Sequence, residues 1–431
     1  MRGARRLLPS LLRACLLSAC VLASLLLVLG ACTEPRAAER PAQGDGQAVP
    51  APAGGLPAAV LRALDPPAGP GAMAPGLSAG TSGIHLVWLE PQAAGGGQRM
   101  RISQLVGDRW QAPVDVVASD RLFANWADTP AVIEAADGTM YAHWLEKLGP
   151  GTYAYGAQLA RSEDGGAHWQ RMGLLHDDRS ETEHGFVSFA ASAEGGVEVA
   201  WLDGRATASG GLMQMRAARL EGAEVVRRRL VASSSCDCCA TAMAMAAGGP
   251  VVAFRDRTAE EIRDIAVVRR TGAGWQPPVI VHQDGWKIAG CPVNGPAIAA
   301  DGARVMVAWF TAAGDQARVQ VSFSDDGGGS FAPPILLDGA RPIGRVGAAL
   351  IGDHGYVTWL ARSSAATRAQ LRLARIGADG TLEAVDTIAL TSPARAAGVA
   401  RLVADHGRLL VAWVEASEPS ALHVTAIALA A

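Results

Sequence analysis

The strongest pattern in the chain is a short apolar alternation that ends in an aromatic residue and returns seven times. IHLVW ends at Trp88, MYAHW at Trp144, VEVAW at Trp201, PVVAF at Phe254, VMVAW at Trp309, GYVTW at Trp359 and LLVAW at Trp413. The intervals are 56, 57, 53, 55, 50 and 54 residues. Alternation with period two presents one face of a segment to a core, as a β-strand does. Each run follows another short strand and a turn, as in AVIEAADGTMYAHW. One or two further strands come after it, as in ARVQVSFSDDGGGSFAPPILL. Four strands in a unit of about fifty residues make a propeller blade. The pattern therefore predicts an all-β propeller of four-stranded blades over residues 77–431, seven blades by count of the repeats. No segment holds a helical period over three turns.

The last repeat reaches Ala431 with only three strands, which would leave an edge bare. The apolar patch LPAAVLRAL, Leu56–Leu64, is predicted to supply the missing outer strand and close the ring. Around it, from Thr33 to about Gly76, the chain is Ala, Pro and Gly with little else. Such a composition buries too little to order itself, and residues 32–76 read as a tether.

The first 31 residues read as a leader. MRGARR is a basic start, Leu7–Leu29 is apolar apart from Arg13, and the run ends in LGAC. This resembles a bacterial lipoprotein signal, cut before Cys32 with the lipid placed on that cysteine; a plain membrane anchor is the alternative. Removal of the leader takes four arginines and no acid, moving the net charge from -3 to -7. The implied location is the cell envelope of a bacterium, anchored by Cys32, on the periplasmic or surface side of the outer membrane because Thr33 is not aspartate. The 50 glycines and 18% charged residues fit many tight turns. With no basic block, nucleic acid is not an expected partner. The chain is expected to be a monomer without a cofactor.

A propeller gathers two kinds of loop on one face: those joining successive blades and those joining the second and third strands within a blade. Two residues past the repeating aromatic, the within-blade loops carry Glu90, Glu146, Asp203, Asp256 and Glu415. They read either as a carboxylate ring at one end of the channel, balanced by Arg205, Arg255 and Arg257, or as solvated strand ends. The between-blade loops are NWADTP, HDDRSETEHGF, SSSCDCC, HQDGWKIAGCPVNGP and RPIGR. Their charged, aromatic and cysteine residues contrast with the Gly and Ala of the opposite loops. Binding residues concentrate on loops held by a rigid scaffold. The candidates for ligand contact are Trp126, His184, Arg205, Arg255, Arg257, Trp286, Lys287, Asn294 and Arg345. In FRDRTAEEIRDI the arginine forks can hold an anionic or sugar ligand, or pair internally with Asp256, Glu260, Glu261 and Asp264.

Apart from Cys32 and two cysteines in the leader, the chain has Cys236, Cys238, Cys239 and Cys291. In an exported protein these four are expected as two disulfides, one of the cluster reaching Cys291. A thiolate site for zinc or copper(I), helped by His184 or His282, is the alternative.

RSEDGGAHW (Arg161–Trp169) and SDDGGGSF (Ser324–Phe331) share the form S-x-D-x-G-x-x-aromatic. Asp164 and Asp326 can accept backbone N–H groups within the turn, and the glycines permit left-handed geometry. The turn resembles the Asp-box of the sialidase superfamily, also described as BNR repeats, where its role is structural. The resemblance covers about residues 75 to 431 and implies a propeller; sialidases have six blades, the alternative to seven. A closer resemblance is to exported bacterial sialidase-like lipoproteins of uncharacterised activity, through TEHGFVS, WLDGR, CDCC, FRDR, EIRDI and GWKIAGCPVNGPA. The sialidase early F/Y-R-I-P stretch is absent, no tyrosine follows Tyr356, and only Tyr153 and Tyr155 are free of the repeating strand. Two functions follow as expectations. One is a lipid-tethered module whose loop face binds a glycan, a peptide or an envelope partner. The other is a sialidase-like glycoside hydrolase with acids drawn from Asp128, Glu183, Asp203 and Asp256.

Overall fold

The computed structural model describes residues 60–93, 96–365 and 367–429. Seven antiparallel sheets follow one another along the chain. Blade one spans 73–119, two 131–174, three 184–232, four 242–280, five 297–338, six 342–391 and seven 401–428. In each, the first strand lies nearest the axis and the aromatic-ended run is the second strand. The fourth strand of blade seven is Val60–Ala63, antiparallel to Ala421–Ala428 with Val60 opposite Ala428. Helical structure among the described residues is confined to three 3-10 turns. The seven-bladed reading holds and the six-bladed alternative does not.

The tether expected to run to residue 76 stops short. Blade one already begins at Met73. Leu64, Ala72 and Ala74 are buried, and Trp110 donates to the Leu64 carbonyl at 2.5 Å. A few small apolar side chains suffice here because a completed sheet supplies the surface that covers them. The leader and Cys32 lie outside the described residues.

The repeated aromatic has a clear purpose. Seven apolar clusters form the core, one at each contact between neighbouring blades. Trp144 joins Val87, Leu89 and Met100 of blade one. Trp201 joins Tyr141, Leu145 and Leu159 of blade two. Phe254, Trp309 and Trp359 do the same against blades three, four and five. Trp413 packs on the cluster between blades six and seven. Trp88 packs with Leu410, Ala412 and Val414 of blade seven, so the ring is shut by the same contact that builds it. At about 25 cal/mol per Å² over 150–250 Å², each buried aromatic contributes about 4–6 kcal/mol before entropy.

An indole also brings an N–H into this apolar wedge, and it must be bonded. Trp88, Trp144 and Trp201 donate to Glu90, Glu146 and Asp203 at 2.7, 3.0 and 2.8 Å. Trp309 and Trp359 lean back onto the preceding blade, donating to Asp284 and Asp338 at 2.7 and 2.8 Å. Arginines complete the bracket: Arg99 on Glu90 at 2.6 Å, Arg171 on Glu146 at 2.5 Å, Arg205 on Asp203 at 2.7 Å and Arg372 on Asp338 at 3.2 Å. The acids two positions past the aromatic therefore do not form a ring around the channel. Glu90, Glu146 and Asp203 are buried core acids, Asp256 is half-buried, and Glu415 sits outside with Arg368 at 3.7 Å.

The innermost strands converge, and small residues let them. A Cβ on Gly76 would lie 2.5 Å from the Pro130 carbonyl oxygen, and one on Gly347 3.2 Å from Leu402 Cβ of blade seven. At the outer rim the two S-x-D turns run between the third and fourth strands of blades two and five. Gly166 and Gly328 donate to Ser162 and Ser324 Oγ at 2.9 Å, both with left-handed backbone at φ 87° and 85°. Asp164 accepts the His168 N–H at 2.9 Å, and Asp326 accepts those of Gly329 and Ser330 at 2.7 and 3.0 Å.

The bracket makes a quantitative prediction. Asp203→Ala strands the Trp201 indole N–H in the core and takes from Arg205 one of its two carboxylate partners, lowering stability by about 3 kcal/mol. Glu415→Ala, an exposed pair, costs less than about 1 kcal/mol. Denaturant unfolding monitored by tryptophan fluorescence distinguishes them; equal losses would contradict the bracket.

Candidate functional site

Two polar clusters and a cleft sit among the loops of one face. The first cluster runs across the axis. Arg255, 1% exposed, ends the second strand of blade four. It donates to the Asn294 carbonyl at 2.9 and 2.8 Å, to Arg263 O at 2.6 Å and to Phe310 O at 2.7 Å. Four of its five N–H groups are thereby used. Its guanidinium lies 4.8 Å from the centre of the buried Trp286 ring. Asn294 Oδ1 accepts the Arg345 backbone N–H at 2.7 Å. Arg345 in turn lies 4.9 Å from the Trp126 ring and donates to Ala394 O at 2.9 Å. Trp126, Arg255, Trp286, Asn294 and Arg345 are thus brought together, as a chain that ties the loops to one another. Burial pushes Arg345 down to about 10. Beside it a cavity of about 190 Å³ on the axis is lined by Asn294, Arg345 and Arg401, with Gly and Ala from the inner strands.

The second cluster joins blades two and three. Asp128 is buried and accepts the Phe186 N–H at 2.8 Å through Oδ2, while Oδ1 makes no hydrogen bond of good geometry among the described residues, with the Tyr155 hydroxyl its nearby donor. This contact depends on a bulge at the top of the inner strand, where the register shifts between Gly185 and Ser188. Phe186 is left-handed there at φ 50°, and a Cβ on Gly185 would lie 2.0 Å from Asp128 Oδ2. Bulges re-aim groups in this way next to sites. The same strap recurs three blades further on: Asn294 holds Arg345, itself left-handed at φ 59°. In sequence the two anchors are Asp128-Thr-Pro130 and Asn294-Gly-Pro296. That D/N-x-P repeat was a readable signal for the pair.

Tyr155, fully buried, donates its hydroxyl to Glu183. Arg401, also in this neighbourhood, donates to Thr129 Oγ1 and to Pro75 O at 3.2 Å. Burial drives the acids up. Asp128 rises to about 7, with the Phe186 N–H and Arg401 opposing. Glu183 rises to about 8, with the tyrosine hydroxyl opposing. The Tyr155 phenol goes well above 10, by burial and then by the charges of Asp128 and Glu183. Two acids that hold protons near neutral pH are unusual and mark a candidate site.

Glu183 also lines the cleft, a space of about 380 Å³. Its walls are Gly151, Tyr153, Thr182, Glu183, Thr207, Met213 and Asp237, from loops of blades two, three and four. Tyr153 is 64% exposed. Asp237 pairs with Arg257 at 2.9 Å, and burial raises its pKa. Asp237 and Arg401 were not singled out in the sequence. Asp237 is hidden between two cysteines in CDCC, and Arg401 opens an inner strand far along the chain.

The other candidates stand elsewhere. Asp203 is held in the core bracket, and Arg205 pairs with it at 2.7 Å and with Asp177 at 2.6 Å. His184 is buried, stacked on His176 with ring centres 3.8 Å apart and its Nε2 3.1 Å from Asp178. Arg257 and Arg263 share Glu261 at 2.7 Å each, so the arginines of FRDRTAEEIRDI pair largely within the loop. Asp256 is half-buried and raised by burial and by Asp264. Lys287 is exposed. The expected disulfides are not present. Cys236, Cys238, Cys239 and Cys291 are free thiols, and the Cys236 and Cys239 sulfurs are 3.0 Å apart, against about 2.05 Å for a bond. His184 and His282 face Asp178 and Asp284.

The fold and this loop face define a seven-bladed β-propeller with a polar cleft beside its axis. No family model and no curated protein matches the chain. Among solved structures it is similar to a Penicillium chrysogenum α-L-arabinanase complexed with arabinobiose, at 13% identity and TM-score 0.46, covering 86% of this chain and 99% of that one. It is similar to a polysaccharide lyase of family 25, an ulvan lyase, at 13% identity and TM-score 0.44, covering 70% and 78%. It is also similar to a Hadza microbial sialidase, at 12% identity and TM-score 0.43, covering 78% and 74%.

The raised acids fix the sign of a pH effect. An unfolded carboxyl titrates near 4, so between about pH 4 and 8 the folded chain holds more protons and stability falls as pH rises. Burial lowers His143 to about 3 and His176 to about 4, which acts in the opposite sense but only below about 6.5. Between pH 7 and 8 the comparison with a Glu183 variant separates this acid from other groups that titrate there, such as the lowered Cys291 thiol. Wild type is expected to lose up to about 1.4 kcal/mol per pH unit more than Glu183→Gln between pH 7 and 8. Parallel denaturation curves for the two proteins across that interval would contradict a proton on Glu183.

Proposed function

We propose that the loop face binds a glycan in the cleft walled by Tyr153, Glu183 and Asp237. One observation carries this reading: the exposed Tyr153 ring stands beside the carboxyl groups of Glu181, Glu183 and Asp237 in a space of about 380 Å³. A sugar offers an apolar C–H face and a rim of hydroxyls. An aromatic ring covers the first, and fixed carboxyl oxygens accept from the second. The core brackets and the Asp128 strap leave these walls little freedom, which lowers the ordering cost of binding. The loops bearing the walls come from three blades, so the site needs the assembled ring.

A second reading is glycoside hydrolysis, favoured by the pair Glu183 and Asp237 in the same cleft. Hydrolysis of a glycosidic bond uses two carboxyl groups, one protonated as an acid and one ionised. Glu183, raised to about 8, holds its proton at neutral pH. Asp237, beside Arg257, is the candidate for the ionised partner. Tyr155 is not a suitable nucleophile as placed. It is buried, and its phenol is pushed in the direction that keeps the proton. We assign it the positioning of Glu183.

We further propose that the chain is exported and held at a bacterial envelope membrane by a lipid on Cys32. The support is the basic start, the apolar run and LGAC in the sequence. A tethered propeller would hold its face towards envelope polysaccharide or an envelope partner.

Glycan arrays followed by calorimetry test the binding reading. Tyr153→Ala and Asp237→Asn are each expected to weaken the best glycan by about tenfold or more, near 1.4 kcal/mol. No glycan bound, or binding untouched by both variants, overturns it. Fluorogenic glycosides, sialosides included, test the second reading; turnover that falls by about 100-fold or more in Glu183→Gln supports it.

A further inference from the structure

The loop that carries Asp237 has a second chemistry. Ser233–Ala240 enters blade four and is pinned at its base: the Ser235 N–H donates to Met213 O at 2.9 Å and the Cys236 N–H to Arg255 O at 2.8 Å. The turn that follows brings three sulfurs together. Cys236 Sγ lies 3.0 Å from Cys239 Sγ and 3.8 Å from Cys238 Sγ, and all three lie within 4.8 Å of one another. Cys291, exposed on the loop into blade five, is a neighbour of Cys238 but lies outside this triangle. Three cysteines of one turn thus share one spot on the loop face, with a fourth beside it from a segment over fifty residues away in sequence.

We propose that Cys236, Cys238 and Cys239 form a thiolate site for one soft d10 metal ion, copper(I) or zinc(II), with Cys291 as the fourth sulfur. A metal–sulfur bond of about 2.3 Å places ligand sulfurs about 3.8 Å apart around a tetrahedral ion and about 4.0 Å around a trigonal one. The Cys236–Cys238 pair already has that spacing at 3.8 Å, whereas Cys236 and Cys239, at 3.0 Å, must part by about 0.8 Å to hold an ion between them. Soft thiolates select these ions over magnesium or calcium.

The surroundings are built for negative sulfur. Arg263, nearly buried, donates from Nη1 to Cys236 Sγ at 3.2 Å. Arg255 is buried, makes no ion pair among the described residues and lies within electrostatic reach of Cys236 and Cys239. Around the cluster stand Arg255, Arg257 and Arg263 against the carboxylates Asp237 and Glu261. The set is one positive charge in excess before any thiolate is counted. A thiolate beside these guanidinium groups lowers the cost of burying that charge. Access is also present. Cys236 and Cys239 are buried, Cys238 is half-exposed and Cys291 is exposed, so an ion reaches the inner sulfurs past the outer two. The site borders the proposed glycan cleft through Asp237, but its chemistry does not depend on that cleft's function.

The test uses the full chain, purified under reductant without oxygen. Cobalt(II) serves as the first probe, followed by zinc(II), and by copper(I) in competition with a chromophoric copper(I) chelator. Expected are one ion per chain lost in Cys236→Ser and Cys239→Ser, sulfur-to-cobalt charge-transfer bands, and three or four sulfur neighbours by X-ray absorption. Cys239→Ser should weaken binding by more than about 100-fold, beyond the roughly 10–100-fold of a lost supporting group. Cys291→Ser, at an exposed position that leaves folding intact, should retain binding with one sulfur fewer. The relative retention of copper(I) and zinc(II) names the ion. The proposal is overturned if the reduced protein holds no ion more tightly than the Cys236→Ser, Cys239→Ser double variant. It is overturned equally if the bound ion shows only nitrogen and oxygen neighbours.

Discussion

An aromatic side chain wedged between adjacent sheets is the interaction on which the rest of this molecule depends. Each sheet alone has two apolar faces and no means of covering either. The aromatic at the end of each second strand fills the gap to the preceding sheet, and the seventh repetition brings blade seven against blade one. A tryptophan in that gap satisfies the volume but carries an N–H into apolar surroundings. The carboxylates of Glu90, Glu146, Asp203, Asp284 and Asp338 answer that N–H, and arginines answer four of them, with His282 near Asp284. Phe254 brings no N–H, so blade four needs no such acid. Its second strand instead ends in Arg255, which reaches into the loops.

This division places chemistry. In the tryptophan blades the polar groups near the strand ends are committed to holding sheets together. Blade four and the loop that enters it are not bound by that duty, although on the loop that leaves it Asp284 still bonds the Trp309 indole. There the molecule keeps a buried arginine with no ion-pair partner, four thiols and the cleft carboxyl of Asp237. The straps from Asp128 to Phe186 and from Asn294 to Arg345 fix the inner strands where they meet this region. Both use a left-handed residue at a bulge, a conformation a regular strand would not supply. Conformational cost is thereby stored in the scaffold beside the cleft, which fits a site that must be rigid before its ligand arrives.

The neighbourhood of Tyr155, Glu183 and Asp128 shows how burial alone can create reactive groups. None of the three is unusual by residue type. Their stacking under the loops of blades two and three raises both acids towards neutral pH and makes the phenol a firm donor. A carboxyl group that keeps its proton at pH 7 can give a hydrogen bond or a proton where an ordinary glutamate can only accept one.

The strand repeat, its fifty-odd-residue spacing and the count of seven blades were legible along the chain, because alternation and aromatic position are local properties that burial requires of every strand. So was the polar character of one set of loops. The start of the ordered ring was misplaced, because Met73–Gly76 is covered by other blades and not by its own hydrophobicity. The acids past the aromatics looked equivalent in sequence; only packing separates Asp203, bonded to an indole, from Glu415 in solvent. His184 and Trp286 read as loop side chains and are buried, since a loop pressed between blades is core. Asp237 and Arg401 became candidates only when segments from different blades met. Spacing along a chain can specify strands, but a cleft, a sulfur triangle or a raised pKa belongs to groups that are neighbours in space, and that was decided by closing the ring.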